Sequence, residues 1–287
     1  MHPLIPFFDR VTIQVGPLTL GGFGLMVATG FLVGAGISRR KLARDGLDPG
    51  LITPLLGLLA IAVYVGGHVG DVLLYYPETL AGEGQRFVGL FEALAQGRLP
   101  KAEDVPVLLR VWDGLSSYGG FVAATPAAVW YFRRNRVPVL PYCDAVIYGF
   151  ATAWTLARIG CFFAHDHPGV ETNFWLGVRG ICPGAYGDSG VACHDMGLYE
   201  AILSAAIAVG LFVKNRAPRP PGHLVGLACL WYGPARFLLD FLRHPAADAR
   251  YAGLTPAQYG SLALALIGLW LLRPRSGEGE GSHPASP

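Results

Sequence analysis

Apolar stretches alternate with shorter polar, charged segments along the whole chain. An α-helix needs about 20 mostly apolar residues to cross roughly 30 Å of hydrocarbon. The pattern therefore predicts an all-α polytopic membrane protein with about seven transmembrane helices. The predicted spans are 18–38, 51–76, 115–132, 142–163, 197–213, 222–243 and 257–272.

The charged segments between these spans differ in their content of Lys and Arg. One set of segments holds twelve Lys and Arg in 44 residues: 39–50, 133–141, 214–221 and 273–287. The other set holds only seven in 101 residues: 1–17, 77–114, 164–196 and 244–256. Short cation-rich connections stay on the cytoplasmic side of a membrane. We therefore expect the N-terminus outside and the C-terminus inside.

Two of the predicted external segments are long, 77–114 and 164–196. The first contains an apolar run from Val88 to Ala95 that predicts a short interfacial helix. Residues 1–275 form one predicted integral-membrane domain. Residues 276–287 are rich in Gly, Ser, Pro and Glu, which is typical of a flexible tail, here cytoplasmic.

Composition agrees with the membrane assignment and excludes other classes. Of 287 residues, 52% are hydrophobic and only 15% are charged, whereas soluble domains are about 25% charged. The net charge of +2 is too small for binding nucleic acid through a basic surface. We expect the lipid bilayer as a partner, no nucleic acid and no cofactor.

A group of ionisable residues lies in the second halves of three predicted spans. They are His68, Asp71, Arg158, Arg236, Asp240 and Arg243. With the N-terminus outside, the three spans that carry them all run outward, so these groups share the outer half of the bilayer. Two arginines with fewer partner acids at that depth suggest an anionic ligand, and a phospholipid headgroup is the anion expected there. Snorkelling of the arginines to the interface is the alternative.

The third span opens with Tyr118, Gly119 and Gly120. Two glycines remove side chains where a backbone comes close to another group. That group is either a phospholipid, in which case the pair lines its site, or a neighbouring helix packed through small residues.

Five cysteines are too few for a disulfide scaffold. Cys182 and Cys193 lie in an external segment and are expected to form a disulfide, whereas Cys143 and Cys229 lie in spans and are expected to pack. A zinc site is the alternative, but its spacing fits no standard pattern, so we expect no metal. The ligands in that alternative would be His165, His167, Cys182, Cys193 and His194.

Seven short motifs in order resemble the prolipoprotein diacylglyceryl transferase family. The two most specific are Ala157–Ala164, which reads ARIGCFFA and resembles the signature GRIGNFIN, and Tyr232–Arg243, which is similar to YGxxRFxxEFxR. The resemblance covers roughly residues 15–273. The other matching segments are 23–26, 67–75, 114–120, 194–200 and 254–258.

The resemblance implies an activity and a set of residues. The family transfers the diacylglyceryl group of phosphatidylglycerol to the lipobox cysteine thiol of prolipoproteins, at the outer leaflet of the bacterial cytoplasmic (inner) membrane. Arg158 and Arg236 match its essential arginines, and Asp240 replaces its glutamate and is expected to hold Arg236. Phospholipid contacts are expected from both arginines, Asp240, Gly119, Gly120 and Arg243. Supporting roles are expected for Glu200, Tyr232 and Asp71.

This sequence departs from the family pattern at Phe23, Tyr118, Cys161 and Ala164. Tyr118 stands at the position of a family histidine cast as the base, and a phenol with a pKa of about 10 is a poor base. We therefore name His165 as a substitute base, with Asp166 as its orienting partner, and keep Tyr118 among the catalytic candidates.

Two readings of these departures stay open. The chain is either an active transferase, or an altered or inactive paralogue that binds or modifies phospholipid. A channel or transporter is the third class, and the largely apolar inner halves of the spans and the lack of an internal repeat disfavour it.

Overall fold

The computed structural model describes residues 3–16, 18–110, 114–187 and 189–274. Within this part of the chain there are eight α-helices, so the predicted helical class is confirmed. They are α1 (Gly22–Arg44), α2 (Ile52–Gly70), α3 (Glu83–Ala95), α4 (Ser117–Arg134), α5 (Val139–Ala164), α6 (Met196–Lys214), α7 (His223–Leu239) and α8 (Pro256–Leu272). The predicted tail 276–287 lies outside the described residues.

Each of the seven predicted spans coincides with a helix, but the helices differ in their capacity to cross a bilayer. Five helical segments are both long and apolar enough: Gly22–Arg44, Pro49–Tyr75, Val139–Ala164, Met196–Lys214 and His223–Leu242. Helix α8 is apolar but has only 17 residues, about 26 Å at 1.5 Å per residue. Helix α4 contains Pro126 and ends in Arg133 and Arg134. The exact count of seven therefore remains a prediction.

Local sequence signals fix the ends of the helices. Ser116 accepts a hydrogen bond from Gly119 N at the start of α4, and Asp195 accepts one from Leu198 N at the start of α6. Thr255 begins α8 as part of a capping box. Side-chain oxygens at these positions satisfy backbone N–H groups that have no partner within the helix.

The helices pack mainly in pairs, α1 along α5, α2 along α4 and α7 along α8, and α6 packs on α5 and α7. Small residues permit close contact. A Cβ on Gly34 would lie 3.0 Å from Gly149 O, and one on Gly66 would lie 2.8 Å from Gly119 O. Such contacts are typical of helices that associate in a membrane, where packing rather than apolar burial drives association. Because α6 packs on both α5 and α7, these three helices are neighbours.

The predicted external segments carry their own structure. Helix α3 confirms the helix predicted at Val88–Ala95 and begins five residues earlier. The segment 164–196 forms a three-stranded antiparallel sheet and a hairpin, and the predicted disulfide between Cys182 and Cys193 is present. The strands are β3 (Pro168–Glu171), β4 (Val178–Arg179), β5 (Ile181–Cys182), β6 (Ala185–Tyr186) and β7 (Ala192–Asp195), after the N-terminal hairpin of β1 (Thr12–Val15) and β2 (Leu18–Gly21).

Candidate functional site

Arg158 lies in the last two turns of α5 and is almost completely buried. Its Nε is 3.0 Å from Glu200 Oε2, and its Nη1 donates to Cys161 Sγ at 3.7 Å. The guanidinium also lies over the Trp154 ring, 4.4 Å from its centroid. A cation in an apolar helix needs such partners, because an unpaired charge there costs at least about 2.5–3.5 kcal/mol.

Arg236 approaches from α7 and reaches the same carboxylate. Its Nε is 3.2 Å from Glu200 Oε1, and its Nη1 donates to Asp240 Oδ1 at 2.6 Å. Asp240 in turn accepts a hydrogen bond from the Thr255 hydroxyl. The predicted i, i+4 pairing of Arg236 with Asp240 is confirmed, and Thr255 fixes the carboxylate at the entry to α8.

Glu200 joins the two arginines. It lies in the second turn of α6 with a side chain only 2% exposed, each of its oxygens faces one guanidinium, and Oε2 also accepts a hydrogen bond from Tyr232 Oη at 2.7 Å. Arg158 and Arg236, predicted to hold one anionic ligand together, therefore converge in space on Glu200. Tyr232 has the supporting contact expected of it.

The prediction of fewer acids than arginines is wrong, because it did not count Glu200 among the charges inside the spans. Arg158 and Arg236 face Glu200 and Asp240, and Arg243 pairs with Asp248 at 2.9 Å. The signal was readable, since Glu200 is the only ionisable group with an ordinary charge at pH 7 in the predicted span 197–213. A balanced cluster is the form in which several charges can be buried together.

The turn that follows α5 brings Asp166 and His167 beside Cys161. His167 Nε2 is 3.7 Å from Asp166 Oδ1. Burial, followed by the positive charges of Arg158, Arg243 and Arg236, lowers the pKa of His167 below its usual range, so its imidazole is neutral near pH 7. Burial raises the pKa of Asp166, although Arg158 opposes this shift.

His165 does not contact Asp166 as predicted. Its Nδ1 is 3.4 Å from Asp195 Oδ2 and its Nε2 is 3.1 Å from Phe8 O, with the ring itself buried. The residue ends α5 in a left-handed conformation with a φ of 50°, which turns its side chain away from its neighbour in sequence. The prediction of Asp166 as its orienting partner is therefore wrong.

Tyr118 lies near the arginines but is engaged elsewhere. Its hydroxyl is 2.8 Å from Ser261 Oγ on α8, and it interacts electrostatically with Arg236 and Glu200. A phenol whose hydroxyl is already hydrogen-bonded to a serine is a poor base near pH 7, as expected for this position.

Gly119 and Gly120 face α2 rather than a ligand site. A Cβ on Gly119 would lie 2.8 Å from Gly70 Cα, and one on Gly120 would lie 3.1 Å from Val63 Cγ1. Both residues are buried in this helix contact. The expectation that they line a phospholipid site is corrected, because the adjacent helix fills the space.

The two remaining predicted residues lie at the same end of the bundle. Arg243 follows α7, where its Nε pairs with Asp248, and its charge reaches Glu200 and His167. Asp71 begins the π-helical segment Asp71–Tyr75 that continues α2, and its carboxylate leaves no space for a side chain at Gly114. Asp71 thus has a packing role that fits the predicted support.

Comparison with known proteins identifies the family of this chain. The family model described as "Prolipoprotein diacylglyceryl transferase" matches residues 10–273. Among curated proteins, phosphatidylglycerol–prolipoprotein diacylglyceryl transferases from two bacteria align with nearly the whole chain. The protein of Nitratidesulfovibrio vulgaris strain Hildenborough is 29% identical over 96% of this chain and 97% of its own length, and that of Chromohalobacter salexigens is 30% identical over 93% and 92%. The chain belongs to the prolipoprotein diacylglyceryl transferase family.

Proposed function

We propose that this protein transfers the diacylglyceryl group of phosphatidylglycerol to the lipobox cysteine thiol of prolipoproteins. The observation that carries the proposal is the convergence of Arg158 and Arg236, from separate helices, on the buried Glu200. The names of the relatives give the donor and the acceptor. The convergence of the two guanidinium groups is the geometry that would let this chain bind the phosphate of the donor.

The reaction needs positive charge at the leaving group. The acceptor sulfur forms a bond to the terminal glyceryl carbon of the diacylglyceryl group, the C–O bond to phosphate breaks, and its electron pair stays on glycerol phosphate. The proton of the acceptor thiol is lost to a base or to solvent. Guanidinium groups held in place before the reaction stabilise the charge that develops on the phosphate.

The arginines retain donors for this task. A guanidinium carries five N–H groups, and the contacts described here involve two of them on each arginine. We assign Arg158 and Arg236 to phosphate binding and transition-state stabilisation, with Arg243 contributing to the same field. Asp240, Glu200 and Tyr232 are positioning residues.

The base is not assigned to His165 or Tyr118 in this proposal. Both ring nitrogens of His165 have partners, and Tyr118 is paired with Ser261. This observation favours a second candidate, a family member with altered catalysis that binds or modifies phospholipid.

We infer that the site faces the outer leaflet of the bacterial inner membrane, with the N-terminus outside, seven spans and the C-terminus inside. The distribution of Lys and Arg supports this orientation. So does the Cys182–Cys193 disulfide at the end of the bundle that carries the arginines, because disulfides persist in oxidising compartments. We treat residues 1–275 as one domain.

Reconstitution tests the proposal directly. The purified protein is incorporated into phosphatidylglycerol vesicles with a lipobox peptide, and the peptide mass is measured. We expect a mass gain of one diacylglyceryl group, lost in Arg158→Ala and in Arg236→Ala and retained in Arg133→Ala, which changes an exposed arginine at the opposite end of the bundle. No mass gain with several lipobox peptides would leave the altered-catalysis candidate in place.

A further inference from the structure

Three potential metal ligands of different chemistry meet beside Arg158. Cys161 is in the last turn of α5, and Asp166 and His167 follow after the chain reverses at His165. One sulfur, one carboxylate oxygen and one imidazole nitrogen from these residues all lie within 4.8 Å of one another. The nitrogen and oxygen of His167 and Asp166 are 3.7 Å apart.

The backbone that carries these ligands is held from several sides. His165, in its left-handed conformation, is anchored to Asp195 and to Phe8 O. The carbonyl of His167 accepts a hydrogen bond from Met196 N, the first residue of α6, at 3.1 Å. The three side chains therefore project from a turn whose position does not depend on a metal.

The ligand set and its exposure match a zinc site that keeps one position open. Zinc binds sulfur at about 2.3 Å and nitrogen or oxygen at about 2.0–2.2 Å, so tetrahedral ligands lie roughly 3.3–3.8 Å apart. The widest pair of ligand atoms needs to contract by up to about 1–1.5 Å to reach those separations, and the His167–Asp166 pair by less than about 0.5 Å. Cys161 is buried, whereas His167 and Asp166 are 31% and 37% exposed, which leaves the outer side accessible to a fourth ligand.

The ligands themselves supply the negative charge that a divalent cation needs beside three arginines. Arg158, Arg236 and Arg243 face Glu200, Asp240 and Asp248 in equal number. Asp166 and a deprotonated Cys161 would add two negative charges to this balanced group. One Zn²⁺ compensates them without removing any of the three arginines from its carboxylate, and Arg158 Nη1, which donates to Cys161 Sγ at 3.7 Å, shares that sulfur with the metal.

We propose that Cys161, Asp166 and His167 bind Zn²⁺, and that its open position takes the acceptor thiol. The second part rests on the proposed function. The metal-bound thiol releases its proton to solvent and becomes a thiolate. Its sulfur then attacks the glyceryl carbon, the C–O bond breaks, and the electron pair leaves with the phosphate held by Arg158 and Arg236. No side-chain base is then needed, so the proposed transfer does not require the family histidine that Tyr118 replaces.

Metal binding is measured on the full-length protein in detergent, independently of activity. The protein is exchanged with zinc, dialysed, and its zinc content determined by mass spectrometry; a parallel sample receives cobalt and its visible and near-ultraviolet absorption is recorded. We expect about one zinc per chain and a thiolate-to-cobalt charge-transfer band, because Cys161 supplies a sulfur ligand.

Two variants and one control test the assignment. Cys161→Ser should abolish the charge-transfer band, and both it and His167→Gln should weaken zinc binding at least about tenfold. Cys229→Ser, which removes a thiol from α7, should change neither. Gel filtration and the Cys182–Cys193 disulfide report folding of each variant.

The outcomes separate this proposal from the proposed function. Wild-type protein without retained metal, or variants that retain it at the wild-type affinity, would overturn the zinc site. Zinc lost in both variants while the wild type transfers no lipid would support the site and count against the transferase. A wild type that transfers lipid at full rate after complete removal of metal would overturn the role given to zinc in thiol activation.

Discussion

Two regions of the helix bundle bury charged side chains, and their partners differ. In the first, Arg158 and Arg236 meet the carboxylate of Glu200, so long side chains from three helices converge. In the second, at the opposite end, Asp144 accepts hydrogen bonds from Gly222 N at 2.7 Å and Val225 N at 2.9 Å. Asp144 thereby satisfies backbone donors at the start of α7, as a capping residue does.

Lys41 completes the second region. Its Nζ donates to Asp45 at 2.6 Å and to Asn215 at 3.0 Å, linking the ends of α1 and α6. The comparison teaches that a buried charge in a membrane helix does not by itself indicate a functional site. In the second region, backbone donors and a compact ammonium group hold helix ends together. In the first region, planar guanidinium groups have further N–H donors, so they can also bind an anion.

The largest difference in lipid-transfer rate between the two regions should come from replacing an arginine by lysine in the first and a lysine by arginine in the second. Arg236→Lys keeps the charge but removes the bidentate donors, so we expect lipid transfer to fall about a hundredfold. Lys41→Arg, the matched exchange in the second region, should change transfer by less than about threefold, because Lys41 pairs with Asp45 and Asn215 at the opposite end of the bundle from Arg236. Initial rates in vesicles measure both. Equal losses would remove the functional distinction.

Neutralising the shared carboxylate should produce the next largest effect. Glu200→Gln leaves two buried guanidinium groups with one acid between them, and breaking a buried ion pair costs about 3–5 kcal/mol. We expect a clear fall in the thermal midpoint in detergent, and transfer reduced by about ten- to a hundredfold. A variant of wild-type stability would show that Glu200 is not needed to neutralise the arginines.

The corresponding change in the second region should affect stability alone. Asp144→Asn removes the charge that two backbone N–H groups face, and hydrogen bonds to charged groups contribute about 1.5–3 kcal/mol. Thermal unfolding should shift downward, while the transfer rate per folded molecule stays within about twofold of wild type. A selective loss of transfer would mean that the two ends are coupled.

The smallest effect is expected at Asp240. Asp240→Glu restores the residue of the family pattern and keeps the carboxylate beside Arg236, but the longer side chain must adjust its contact with Thr255. We expect transfer within about threefold of wild type, since charge and pairing persist. Asp240→Asn is the contrast, and it should reduce transfer more, because Arg236 loses its charged partner.

Much of the fold could be predicted from the sequence, because the thickness of the bilayer, rather than any tertiary contact, sets the length and apolar character of each spanning helix. The site was predictable in part. Arg158 and Arg236 carry an obvious desolvation cost in apolar spans, so they could be named. Their shared contact with Glu200 could not, because pairing across α5, α6 and α7 depends on helix rotation, which one sequence does not specify.

The errors have the same physical origin. His165 and Asp166 are neighbours in sequence, but a left-handed residue directs their side chains apart. Gly119 and Gly120 suit a ligand or a helix equally well, and only the position of α2 decides between them. The disulfide was predictable because both cysteines lie in one predicted external segment, where an oxidising compartment favours their pairing.

The bridge formed by Glu200 has a consequence for biosynthesis. Helix α5 is made before α6, and α6 before α7, so Arg158 enters the bilayer without its carboxylate and Arg236 arrives last. Each isolated charge makes insertion of its helix less favourable, by about 2.5–3.5 kcal/mol. Contact with Glu200 relieves that cost for both arginines, so the ionic network also favours the correct order of neighbours as the newly made helices assemble.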